Sequence, residues 1–135
     1  DEGFTYLEDA AAEVKSLRFY GSPWTPRFHR WPFMKERGDE LAEVWARIPE
    51  GLDVLVTHGP PFGVLDDGAN YRGALDDGPD PLGCRDLRAR VALVRPRVHV
   101  FGHIHTNQGV VDVDGTRFVN CTTDECERAP VVIDV

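Results

Sequence analysis

Arg97-Val-His-Val-Phe-Gly-His-Ile-His105 is the stretch on which the fold turns. Its first five residues form a short apolar run rich in β-branched and aromatic side chains, the pattern of a buried strand, and Gly102 then opens a loop carrying two histidines. Upstream, Asp53-Val-Leu-Val-Thr57 is a second such run, bounded by Gly51 and by His58-Gly-Pro-Pro61. Between them Leu87, Val91 and Val94 recur at i, i+4 and i+7, and Pro96 stops the pattern, so a helix is predicted over Cys84–Val94. Strand, helix and strand in that order make an α/β unit with two neighbouring parallel strands, and the fold class is read as α/β.

Working outward, Leu41, Val44, Trp45 and Ile48 fall at i, i+3, i+4 and i+7 between Gly38 and Pro49, which predicts an amphipathic helix. Val110–Val113 and Thr116–Asn120 flank Asp114-Gly115, a two-residue turn signal, and predict a C-terminal β-hairpin. Val131–Val135 reads as a final strand. Near the start, Phe4–Leu7 and Val14–Tyr20 read as two extended runs, paired as a hairpin or lying side by side. Three prolines and two tryptophans between Gly21 and Phe33 allow neither a helix nor a central strand, leaving an aromatic loop. Residues 62–83 hold repeated Gly, Pro and Asp without periodicity and read as a long functional or mobile loop.

At 135 residues and 15.1 kDa the chain has room for one core. It carries 15 Lys and Arg against 23 Asp and Glu, a net charge of −8. A phosphate backbone would be repelled, so a nucleic-acid-coating role is excluded unless bound metal reverses the local field. No apolar run approaches the ~18 residues of a membrane span. Three cysteines, Cys84, Cys121 and Cys126, are an odd number without disulfide-framework or C-x-x-C spacing; they point to free thiols in a reducing interior, and the localisation is read as cytoplasmic. The sequence begins at Asp1 rather than Met and is read as a cut, processed or incomplete chain.

Three of the five histidines follow predicted strands directly: His58 after the first, His103 and His105 after the second. In α/β sheets the crevice beyond the carboxyl ends of the strands is where ligands bind. Gly59 and Gly102 let the backbone turn sharply there, and in an extended segment His103 and His105 would share a face while Ile104 points to the core. Imidazoles so arranged can serve one metal or two neighbouring metals. His29 and His99 are read as hydrogen-bonded structural residues. Asp66-Asp67 and Asp76-Asp77-Gly-Pro-Asp80 lack the alternating oxygens and terminal Glu of an EF-hand and read as a solvated loop. With no nucleophile elbow and no phosphate loop, metal-assisted hydrolysis is the chemistry left standing.

Thr57-His-Gly-Pro-Pro61 and Phe101-Gly-His-Ile-His105 resemble the last two metal-binding motifs of the calcineurin-like metallophosphoesterases. Tyr6-Leu-Glu-Asp9, Arg18-Phe-Tyr-Gly-Ser-Pro-Trp-Thr-Pro26, Ile48-Pro49, Gly83-Cys84 and Pro130-Val-Val-Ile-Asp-Val135 are similar to the metallophosphoesterase-domain group typified by fetal-brain proteins. The resemblance implies a β-sandwich flanked by helices, in αββα layers, with residues 1–135 as the C-terminal portion of one such domain. It implies two divalent metals, Mn, Fe or Zn, with His58 and His103 on one and His105 on the other. The upstream Asp-x-His, Gly-Asp and Gly-Asn-His motifs of that family do not occur here. By that resemblance the chain alone would hold at most one metal weakly, and the intact protein would hydrolyse a small phosphoester by a two-metal route. The alternative is a truncated, non-catalytic metal- or ligand-binding module. The expected protein partner is the N-terminal segment or another chain.

Overall fold

A computed structural model describes residues 3–28, 30–67, 82–123 and 126–135 of the chain. Six strands form one sheet: β1 (Ala10–Val14), β2 (Leu17–Ser22), β5 (Val54–Thr57), β6 (Val98–Phe101), β7 (Gly109–Val113) and β8 (Thr116–Asn120). Two short strands, β3 (Thr25–Pro26) and β4 (Met34–Lys35), pair in parallel on their own, and the helices are α1 (Asp39–Trp45) and α2 (Arg85–Val94). The order across the sheet is β1-β2-β5-β6-β8-β7. Its four central strands are parallel, and β1 and β7 close the two edges as antiparallel hairpin partners.

The two apolar runs become adjacent parallel strands, with Val54 opposite Val98 and Leu55 opposite His99. The register also sorts the faces. Tyr20, Leu55, His99, Phe118 and Val111 lie in one row across the sheet. Against this face α1 buries Leu41, Val44 and Trp45, and α2 buries Leu87, Val91 and Val94. The opposite face carries Val56, Val100, Val119 and Val110 in a row, with Val56 39% and Val110 48% exposed. No described helix contributes to that face, although Leu7 presses against its Gly21. The described residues therefore form a mixed α/β layer pair with one apolar sheet face partly open.

Several expected boundaries shift. Phe4–Leu7 is not a strand; Ala10–Val14 takes the edge, joined to β2 through Lys15 and Ser16, both at positive φ. Three alanines are poor strand formers, and they pair because β2 offers a free backbone edge. Helix α1 ends at Trp45, and Ile48 is buried by the following turn, in which Arg47 and Ile48 N–H donate to the carbonyls three residues back. Cys84 caps α2 instead of belonging to it, its sulfur accepting from Leu87 N–H at 3.4 Å and from Trp45 Nε1–H at 3.3 Å. The predicted hairpin forms, with Asp114 and Gly115 both at positive φ. The expected strand Val131–Val135 does not: a β-branched run becomes a strand only where a neighbouring strand takes its hydrogen bonds, and no described strand pairs with it.

Candidate metal centre

Because β5 and β6 are parallel neighbours, the loops leaving their carboxyl ends start side by side, and Gly102 N–H donates to His58 C=O at 3.0 Å. That backbone link fixes the spacing of the two motifs. His58 Nε2 then lies 3.1 Å from His103 Nδ1, with ring centroids 4.6 Å apart. Gly59 gives the pair room: a Cβ there would meet Thr25 Oγ1 at 3.1 Å and His103 Cδ2 at 3.7 Å. Glycine is needed here for close approach and not for its φ, since the positive φ of this region falls on His103 itself.

His103 has a φ of +70°, and Ile104 N–H closes onto Gly102 C=O at 2.8 Å. A hydrogen bond spanning two residues about a central positive φ is the rare, strained form of γ-turn. For a non-glycine residue it costs on the order of 1–3 kcal/mol and persists only where surrounding contacts enforce it. The extended His-Ile-His expected from sequence is thus replaced by a tight turn at His103 followed by a 3₁₀ turn over His105–Asn107. Ile104 is buried as expected. His103 is directed at His58, whereas among the described residues no group of three or more His, Cys, Asp or Glu side chains stands at metal-holding spacing.

Both paired rings favour the neutral form. Burial lowers the pKa of His58, and burial first, then the charges of His58 and His105, lowers that of His103 to about 4. Neutral imidazoles carry the lone pairs that Mn, Fe or Zn accept. Two nitrogens ~2.0–2.1 Å from one metal at tetrahedral or right-angle geometry stand about 2.9–3.4 Å apart, and the observed 3.1 Å falls in that interval. The pair fits as two of the ligands of one cation. The same separation serves as a hydrogen bond when one facing nitrogen carries a proton.

The buried side chains around the site were only partly legible. His99 is structural, as read: fully buried, with Nε2 2.8 Å from Thr57 Oγ1, which itself donates to Gly59 C=O at 2.8 Å. Asp66 is buried, against the expectation of a solvated residue, and accepts from Gly63 N–H at 2.8 Å and Gly83 N–H at 3.1 Å; most of the expected loop, residues 68–81, lies outside the described residues. Two backbone donors on one carboxylate outweigh exposure to water. Asn120, which the sequence reading did not single out, sits fully buried at the end of β8 beside Phe101. His29, Asp76, Asp77 and Asp80 lie outside the described residues.

The two histidines thus meet beyond the carboxyl ends of the parallel strands at the centre of a mixed α/β sheet, the place where such sheets commonly bind ligands. By sequence the chain is similar to the C-terminal part of metallophosphoesterase domain-containing proteins, the resemblance its two histidine motifs carry. It is 43% identical over 135 residues to metallophosphoesterase domain-containing protein 1 of Homo sapiens and of Mus musculus, a match covering 96% of this chain and 39% of each relative, in their C-terminal part. A UPF0046 protein of Caenorhabditis elegans is 37% identical across 96% of this chain and 32% of its own length. The chain thus spans about two fifths or less of the length of these three relatives. One solved crystal structure superposes with a TM-score of 0.60 at 17% identity, over 85% of this chain and 44% of that one, which bears on the fold alone. No protein-family profile matches the chain.

Proposed function

We propose that this chain is the C-terminal portion of a metal-dependent phosphoesterase and contributes His58, His103 and His105 to a two-metal site. The observation that carries the reading is the His58–His103 pair, 3.1 Å apart at the ends of adjacent parallel strands, with His58 open to solvent. The names of the relatives support it. His58 and His103 present two neutral lone pairs to one cation, and His105, from the next turn, serves the second. When bound, the two divalent ions, Mn, Fe or Zn, supply Lewis-acid polarisation of the phosphoryl group and activate water for in-line attack. The chain's part is to hold its imidazoles unprotonated and fixed, so that a small phosphoester meets a positive centre on an otherwise acidic protein.

The remaining ligands come from an upstream segment of the kind the longer relatives carry. The open sheet face bearing Val56 and Val110 is its docking surface, which completes the β-sandwich implied by the family resemblance. The three cysteines, all free, accord with a cytoplasmic setting. Co-expression of this chain with an upstream segment from a relative, followed by assay of a chromogenic phosphodiester with Mn²⁺, tests the reading. Metal-dependent turnover supports it, and none, with both segments folded and associated, refutes it.

One observation favours a second reading. No set of three ligand side chains is assembled among the described residues. On that reading the chain is a non-catalytic metal- or ligand-binding module. Binding of one ion, with no turnover when the upstream segment is supplied, is its signature.

A further inference from the structure

His103 and Leu65 both stand in backbone conformations that bulky residues avoid, with φ of +70° and +49°. One side chain reaches the loops of both. Asn120 Nδ2–H₂ donates to Ile104 C=O at 2.9 Å, next to His103, and to Leu65 C=O at 3.3 Å. Its Oδ1 accepts from Thr122 N–H at 3.2 Å, and it is wholly buried. The same two loops are laced further out, where Thr106 Oγ1–H donates to Asp67 C=O at 2.5 Å and Asp67 N–H donates to Asn107 Oδ1. Asn120 is anchored by the β8 ladder, where it stands opposite Phe101, one residue before the turn begins. Of the uncharged side chains of this size only an amide offers two donors to two carbonyls while accepting from a third group.

We infer that Asn120 is a positioning residue for the histidine pair: its carboxamide clamps the strained turn that aims His103 at His58. The inference rests on the metal-binding reading above. Without the clamp, Ile104 C=O loses its buried donor, the γ-turn is free to relax, and the 3.1 Å approach of the two rings is no longer enforced.

The test is Zn²⁺ affinity of the 135-residue chain, measured by competition with a chromophoric chelator, alongside the melting temperature in excess chelator. Wild type, Asn120→Asp, Asn120→Ser and His103→Ala are compared. Asp keeps the shape and loses the donors, while Ser keeps one donor. The expected result is that Asn120→Asp weakens zinc binding by about 10–100-fold, the range for groups that orient a metal ligand, with Asn120→Ser in between; both melt below wild type, because two buried carbonyls lose a donor, and affinities are compared at a temperature where each variant is folded. Folded Asn120 variants with wild-type affinity overturn the inference. Should neither variant fold, wild-type NMR decides. The Asn120 carboxamide signals shift with the same zinc midpoint as the His103 ring nitrogens if the clamp acts, and stay fixed if it does not. If wild type takes up no zinc, or His103→Ala binds as wild type does, the metal reading has failed, and the inference falls with it.

Discussion

His99 Nε2 lies 2.8 Å from Thr57 Oγ1, a polar link between the two central parallel strands in an otherwise apolar layer. Phe101 and Phe118 flank the ring at centroid distances of 5.1 and 5.6 Å, and its Nδ1 has no hydrogen-bond partner among the described residues. Such a ring is held neutral: burial drives its pKa down to about 3. A depressed histidine pKa means that the unfolded chain binds the proton more readily than the fold does. Stability should therefore be full above the unfolded value of 6.5 and fall as pH drops from there toward about 3, by up to roughly 5 kcal/mol from this ring. Chemical denaturation at pH 7.5, 6, 5 and 4 measures it. His99→Leu, which cannot titrate, should show a shallower acid loss from a lower starting stability, because Thr57 Oγ1 loses its partner. An equal slope in both proteins would show that other groups dominate the acid response.

Replacing His103 separates strain from ligation. His103→Ala and His103→Gly both remove the ring and should both abolish metal uptake in an equilibrium titration. Gly tolerates a φ of +70° without a Cβ clash, so the glycine variant should be the more stable of the two by about 1 kcal/mol in urea unfolding. Equal stabilities would mean that the turn relaxes in the alanine variant.

Leu55 and Val56 are sequence neighbours on opposite faces of β5. Leu55 is fully buried among the helices, and Leu55→Ala should cost about 2–5 kcal/mol, read from the denaturation midpoint. Val56 is 39% exposed, so Val56→Lys should stay within about 0.5 kcal/mol of wild type in this chain. The same lysine should abolish association with a co-expressed upstream segment, as followed by size-exclusion chromatography, because it places a charge in the sheet-to-sheet interface.

Asp66→Asn should loosen the link between Gly63 and Gly83. The amide keeps the shape but forfeits the charge-assisted bonds from Gly63 and Gly83 N–H, at a cost of about 1–3 kcal/mol. Amide hydrogen exchange at Gly63 and Gly83 should speed up, with that of β5 and β6 unchanged.

What could be read from sequence was whatever a periodic pattern or a strand end encodes. The β5–α2–β6 unit, the β7–β8 hairpin and the neighbouring loops carrying His58 and His103 follow from apolar runs, Pro96 and Asp114-Gly115. Edge strand β1 did not follow, because Ala10-Ala-Ala12 has little strand propensity and pairs only once β2 is in place. Val131–Val135 failed in the opposite way, having the propensity without a partner strand. The turn at His103 was hidden because nothing local marks a histidine for positive φ; the contacts that hold it come from Asn120, sixteen or more residues away along the chain. Asp66 was hidden likewise, since its second backbone donor, Gly83 N–H, is seventeen residues distant.

The His58–His103 contact joins residues 45 apart in sequence and exists only after α2 has carried the chain from β5 back to β6. Closing so long a loop carries an entropy cost that must be met before its contacts repay it. On the metal-binding reading proposed above, an ion held by this pair would bind the folded sheet in preference to the unfolded chain, and would stabilise the native form by RT ln(1 + [M]/Kd). Cellular metal supply would then act on the lifetime of the protein: a chain starved of metal would open more often and be degraded sooner, before any question of catalysis arises.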